Sequence, residues 1–147
     1  MPAPSAESSG LSSEHVFALM GMSEVPVTTG DYAMQMPVSD RVSNNRGGLQ
    51  GGLLTTLVDI CAGCAALVDL PAGQTAATAD LNLHFLSAVT VGPARAEATV
   101  VRRGKRQIVT QVEVHDVGRD VLAAIATATF TVLELREGQP DRRSINA

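Results

Sequence analysis

The stretch Leu53-Leu54-Thr55-Thr56-Leu57-Val58-Asp59-Ile60-Cys61-Ala62-Gly63-Cys64-Ala65-Ala66-Leu67-Val68 decides the fold. Thr55, Thr56, Asp59 and Gly63 alone interrupt its apolar residues, so no helical phase offers a solvated stripe. The spacing predicts a helix enclosed by protein. A membrane span is excluded, because the run falls short of the ~20 apolar residues a bilayer needs and carries an aspartate near its middle. The enclosing material is then expected to be a sheet.

Sheet-forming sequence lies on both sides. After Pro71 and Gly73, residues 76–86, 94–103, 107–115 and 121–133 read as strands, with breaks at Gly92-Pro93, Gly104-Lys105 and Asp116 to Gly118. Leu81, Leu83 and Phe85 alternate with Asp80, Asn82 and His84, which predicts one buried face and one facing water or a partner. These four segments are expected to form an antiparallel meander. On the N-terminal side, Tyr32, Met34 and Met36 alternate through 32–38 as a weaker strand signal, followed by a polar, Gly-rich loop over 39–52. Ser12 or Ser13 would cap a short helix carrying Val16, Phe17, Leu19 and Met20 and ending at Gly21. The predicted architecture is α+β, an antiparallel sheet wrapped around one long central helix.

A chain of 147 residues supports one domain with a real core. Residues 1–11 and 136–147 are polar or small and are expected to be mobile, leaving 12–135 as the domain. A net charge of −4 and 3% aromatic residues argue against a nucleic-acid partner, since there is no basic field for phosphates and there are few rings for stacking bases. The first residues lack Lys, Arg and a following apolar run, so no secretory signal is read and a cytoplasmic location is expected. Cys61 and Cys64, the two cysteines, fall one turn apart on the predicted buried helix, where packing is the expected role and a metal site is not.

Chemistry concentrates where the loop meets the helix. Asn44-Asn45-Arg46-Gly47-Gly48-Leu49-Gln50-Gly51-Gly52 brings side-chain donors and bare backbone amides to a helix N-terminus, a place suited to a developing oxyanion. Gly51 and Gly52 let a carbonyl oxygen approach their N–H groups without obstruction. Asp59 is a carboxylate in an apolar helix with no Lys or Arg to neutralise it. Burial there is expected to raise its pKa and suit it to act as a general base. None of the histidines, His15, His84 and His115, falls in the Gly-rich turn or on this helix.

The segment from Asn44 to Gly52, Asp59 nine positions after Gln50, and Thr78-Ala79-Asp80-Leu81-Asn82-Leu83-His84-Phe85-Leu86 together resemble the PaaI-like hotdog-fold acyl-CoA thioesterases over roughly residues 30–133. The resemblance implies that Asp59 activates water or attacks directly, that the Gly51 amide polarises the thioester carbonyl, and that Asn44 and Gln50 orient the substrate. It further implies that Thr78 positions the water or the carboxylate, that no cofactor is used, and that dimers pair into homotetramers. Gln50 stands where the family most often has histidine, and an amide donates a hydrogen bond without readily exchanging a proton. The proline that commonly follows the Phe85-Leu86 pair is replaced by Ser87-Ala88. Arg102, Arg103, Lys105 and Arg106 around Gly104 could hold the phosphates of coenzyme A, with Gly52 also against the substrate.

Two other functions compete. A hotdog dehydratase needs a proton donor and acceptor, usually with a histidine, and none lies in the turn. A non-catalytic acyl-CoA-binding domain would use Gln50 and Asp59 as hydrogen-bonding groups alone. Helix geometry adds one expectation: Gly51 and Asp59, eight residues apart, are separated by roughly 12 Å on one helix, so a single thioester reaches both only if two chains contribute.

Overall fold

The computed structural model describes residues 12–145. A short helix α1 (Val16–Leu19) precedes strands β1 (Ser23–Glu24) and β2 (Tyr32–Met36). The long helix α2 (Gly51–Leu67) follows, then β3 (Gln74–Phe85), β4 (Ala94–Arg103), β5 (Gln107–Asp116) and β6 (Val121–Glu134). The six strands form one antiparallel sheet in the order β1-β2-β4-β5-β6-β3, and α2 packs against its inner face. This is the hotdog arrangement. Residues 1–11 lie outside the described residues.

The core explains the apolar run. Leu54, Leu57, Val58, Cys61, Ala62, Ala65 and Ala66 are buried on α2. They face Ala94, Ala96 and Ala98 of β4, Ile108, Val112 and Val114 of β5, and Ala124, Ala126 and Ala128 of β6. Alanines on β4 and β6 let the helix settle close to the sheet, while the branched residues of β5 fill the volume between. Cys61 and Cys64 are part of this packing; burial, first, pushes both thiols up to about 12, so neither is a thiolate at neutral pH.

Three expectations change. The last four strands are not a simple meander: β4, β5 and β6 follow one another, but β3 pairs with β6 at the far edge. The eight-residue connection 86–93 makes this possible, since it crosses the sheet end where a tight turn could not. Fully buried Asp116 anchors the crossing by accepting from the N–H groups of Thr90, Val91 and Gly92 at 3.0, 3.3 and 2.8 Å. Burial opposes its charge, but those three N–H groups and then Arg119 prevail and hold its carboxyl below the usual range. Next, α1 is capped by His15 and not by a serine: His15 Nδ1 accepts from Phe17 N–H at 3.1 Å. Last, α2 is not enclosed on all sides by its own chain. The sheet covers one side, and Gly52, Thr56, Asp59, Gly63 and Leu67, recurring every three to four residues with Ile60 beside them, are left exposed or half-buried.

The polar tail folds back onto α2. Arg143 Nη1 donates to the carbonyl oxygens of Leu67, at 3.0 Å, and Leu70, while Nη2 donates to Pro71 O at 2.9 Å. Two residues on, Ile145 is 7% exposed. A guanidinium supplies enough donors for several helix-end carbonyls at once, which is why one arginine can fasten a polar segment.

Candidate active site

The loop before α2 is built by its own side chains. Asn44 Oδ1 accepts from Arg46 N–H at 2.9 Å and Gly48 N–H at 3.2 Å, and Asn44 N–H donates to Gly48 O at 2.7 Å. Gly47 turns this loop with a φ of +83°, which favours glycine. Gln50 is the N-cap of α2, its Oε1 accepting from Leu53 N–H at 2.8 Å. Both amide side chains therefore spend their oxygens on the backbone. Their NH2 groups are what they can offer a substrate. Gly52 keeps Gln50 in place, because an added Cβ there would lie 3.1 Å from Gln50 Oε1.

At the start of α2, no acceptor among the described residues takes the N–H of Gly51 or Gly52. These orphan donors at the positive end of a 17-residue helix can stabilise developing negative charge. The Phe85 ring lies beside Gly51, with an added Cβ meeting it at 3.4 Å.

Eight residues further along α2, Asp59 Oδ1 accepts from Thr78 Oγ1 at 2.8 Å. Simple alternation would put Thr78 on the outer face with Asp80, Asn82 and His84. A bulge reverses it: Thr78 pairs with buried Phe130, Asp80 pairs with Thr129, and Ala79 is the extra residue. The bulge turns Thr78 towards the helix. Asp59 itself is half-buried, so its own chain does not supply the full desolvation expected of it.

The site residues thus form two groups on one helix. Asn44, Gln50, Gly51 and Gly52 gather at its N-terminal end, while Asp59 and Thr78 meet roughly 12 Å away. The basic hairpin lies at the other end. There a second bulge, between Val100 and Arg102, brings Arg103 to the inner face opposite Ile108. Arg103 donates to Ala66 O at 2.7 Å and to Ala65 O at 3.5 Å, capping the helix end while the residue stays exposed. Arg102, Lys105 and Arg106 remain exposed around a cleft of about 550 Å³. Among the described residues, no group of three or more His, Cys, Asp or Glu side chains is placed to hold a metal ion. No described helix is long and apolar enough to cross a membrane.

Sequence reasoning missed the capping role of Gln50 and the placement of Phe85. Glutamine is not a favoured N-cap, so composition gave no signal for it. Phe85 read as an inward strand residue, and its contact with Gly51 depends on the crossing of β3 over α2.

The fold recurs in a thioesterase, HI1161, from Haemophilus influenzae, with a TM-score of 0.78, 23% identity, and coverage of 86% of this chain and 89% of that one. The BH2602 protein of Bacillus halodurans, solved with CoA, matches with a TM-score of 0.71 and 29% identity over 80% of this chain and 75% of its own. The protein SSO1253 of Saccharolobus solfataricus, which carries an esterase name, is 29% identical over 83% of this chain and 80% of its own length. The sequence pattern of the thioesterase superfamily matches residues 47–123, from the Gly-rich turn through α2 into β6. That match spans more than half of the chain, and with the helix-in-sheet fold around it the protein belongs to the thioesterase superfamily, among the hotdog-fold thioester hydrolases.

Proposed function

We propose that the chain is an acyl-CoA thioesterase that works as a dimer, each active site being shared between two copies. The observation that carries this reading is the stripe of α2 that its own sheet leaves open. It begins at two unpartnered N–H groups and holds, further along, a carboxylate with one oxygen engaged by Thr78. Coenzyme A as the leaving portion is supported by the Bacillus halodurans neighbour, which was solved with CoA, and by the exposed cations Arg102, Lys105 and Arg106.

In this reading the thioester carbonyl oxygen accepts from Gly51 N–H, with Gln50 Nε2 as a second donor. With Oδ1 of Asp59 held by Thr78, Oδ2 takes a proton from water as the water oxygen bonds to the carbonyl carbon. Negative charge develops on the carbonyl oxygen, where the helix N-terminus stabilises it. Collapse breaks the C–S bond, and the leaving thiolate recovers the proton from the Asp59 carboxyl. Direct attack by Asp59, giving an anhydride that water then opens, uses the same positions.

Two chains are required because the donors and the base on one helix are roughly 12 Å apart. An antiparallel pair of α2 helices about a two-fold axis near Thr55 sets Gly51 of one chain level with Asp59 of the other, and makes two equal sites. Positions equally far from Thr55 then face each other. Ala66, where Arg103 docks, is eleven residues from Thr55 and so extends past Gly51, the first residue of the partner's α2, which carries the basic hairpin of one chain towards the N-terminal end of the other's helix. The unpaired edge of β3, 12 residues long, suits the same two-fold pairing by continuing the sheet. The family resemblance supports association of such dimers into a tetramer.

The test is release of free thiol from acetyl-, octanoyl-, palmitoyl- and phenylacetyl-CoA. Thiol release by the parent protein is expected with at least one of them. Binding of acyl-CoA without release from any would leave the non-catalytic binding reading in its place.

A further inference from the structure

We propose that the acyl chain of the substrate lies in a cleft roofed by the C-terminal segment Asp141–Ile145, which makes that segment a specificity element for aliphatic acyl groups of medium length. The inference rests on the reading of the site as one that takes acyl-CoA.

The cleft, of about 250 Å³, has Ile60, Cys64 and Leu67 of α2 as its floor, Phe17 as a wall and Ile145 as its roof. It starts one residue beyond Asp59, on the side of α2 that the sheet does not cover. From Ile60 to Leu67 it extends roughly 10 Å along the helix, the reach of a medium alkyl chain and not of a long one. Its far end is closed where Arg143 holds the Leu67 carbonyl. The floor is apolar, which suits hydrocarbon, whereas the anionic part of the substrate has the cations of the hairpin to meet.

The roof is fastened with more contacts than an idle tail needs. Arg143 donates to the carbonyl oxygens of Leu67, Leu70, Pro71 and Gln74, and its Nε pairs with Asp141 at 2.9 Å. The clamp sets Ile145 over the helix, where the Cys64 thiol meets the Ile145 backbone. Loosening Arg143 would therefore open the cleft without touching Asp59, Thr78 or the Gly-rich turn.

The experiment measures binding of non-hydrolysable S-alkyl-CoA thioethers, ethyl, butyl, octyl and hexadecyl, to the full chain by calorimetry. Octyl-CoA is expected to bind at least about tenfold tighter than butyl-CoA, a modest share of the roughly fourfold per methylene that full burial gives. Hexadecyl-CoA is expected to gain nothing further. Arg143→Gln releases the roof and Ile145→Trp fills the cleft with the clamp intact, so in each the octyl-to-butyl ratio is expected to fall below about threefold. A ratio near one in the parent overturns the proposal. So does a parent-like ratio in the Ile145→Trp protein, which keeps the clamp and serves even if Arg143→Gln fails to fold. The same outcome would arise if a second copy of the chain filled the cleft. Thiol release separates the two readings: the expected ratios without any release would sink hydrolysis and keep the cleft, and release with a flat ratio would do the reverse. No binding of any thioether overturns both.

Discussion

Replacing Gly51 by proline removes one N–H group and little else, which makes it a clean probe of the oxyanion site. Gly51 is the first residue of α2, where proline is well tolerated because the N–H it lacks has no helical partner. The preceding residue must be extended for proline to follow, and Gln50 already is, with φ −65° and ψ 129°. Space is adequate too, since an added Cβ meets the Phe85 ring at 3.4 Å, an ordinary contact. Folding stability is therefore expected to stay level or rise by about 0.4–1 kcal/mol through a stiffer unfolded chain. Turnover is expected to fall about 100- to 1000-fold, the usual loss for one oxyanion donor. Gly51→Ala is the control: it keeps the N–H and should stay within about tenfold of the parent. Thiol release and thermal unfolding on all three proteins give the answer. A proline variant with parental kcat would refute the assignment of Gly51 N–H to the reacting oxygen.

Asp59→Asn, nearly isosteric and still able to bond Thr78, is expected to lower turnover by at least ~100-fold while the melting temperature holds, and equal turnover would remove the carboxylate from the mechanism. Gln50→His is expected to retain more activity than Gln50→Ala, because a histidine can cap through Nδ1, as His15 does on α1, and donate through Nε2; alanine does neither. Steady-state kinetics that rank alanine equal to histidine would deny Gln50 an orienting role. Glu97 provides a pH signature away from the site. Burial opposes its ionisation, but the hydroxyl and N–H of Thr28, the N–H of Thr29 and Arg95 outweigh this and hold its carboxyl down from 4.5 to about 2. Because the folded value is the lower one, its contribution is present above about 4.5 and is lost as pH falls towards about 2. Denaturant titrations should show the parent losing roughly 1–3 kcal/mol more than Glu97→Gln across that window.

The central helix could be read from sequence because sixteen residues without a charged stripe admit few other structures, and α2 ends within two residues of the expected bounds. Strand positions were legible for a similar reason, as the alternation of half-buried Leu81 and Leu83 with exposed neighbours shows, although Phe85, expected on the same buried face, is exposed. Sheet order was not, because β3 and β4 look adjacent until Asp116 is seen to hold their connection across the sheet end. Alternation also fails at bulges, and two of them place candidate site residues. One turns Thr78 inward to Asp59, and the other turns Arg103 to the helix carbonyls. The carboxylate and the glycine amides of the candidate site stood out by chemistry alone. The capping bonds of Asn44 and Gln50 did not, since they depend on where the loop meets α2. The docking of the tail was equally hidden, because one arginine among polar residues gives no sign that several carbonyls await it.

Whether each site is shared between chains is tested most directly by mixing two damaged proteins. Asp59→Ala lacks the base and Gly51→Pro lacks the oxyanion donor, so each alone is expected to be nearly inactive. After subunit exchange, a mixed dimer holds one site with both groups intact and one with both missing. Equal amounts exchanging at random should recover up to about a quarter of the parent's thiol release. No recovery despite demonstrated exchange would mean that Gly51 and Asp59 of one chain serve the same site, contradicting the shared-site account.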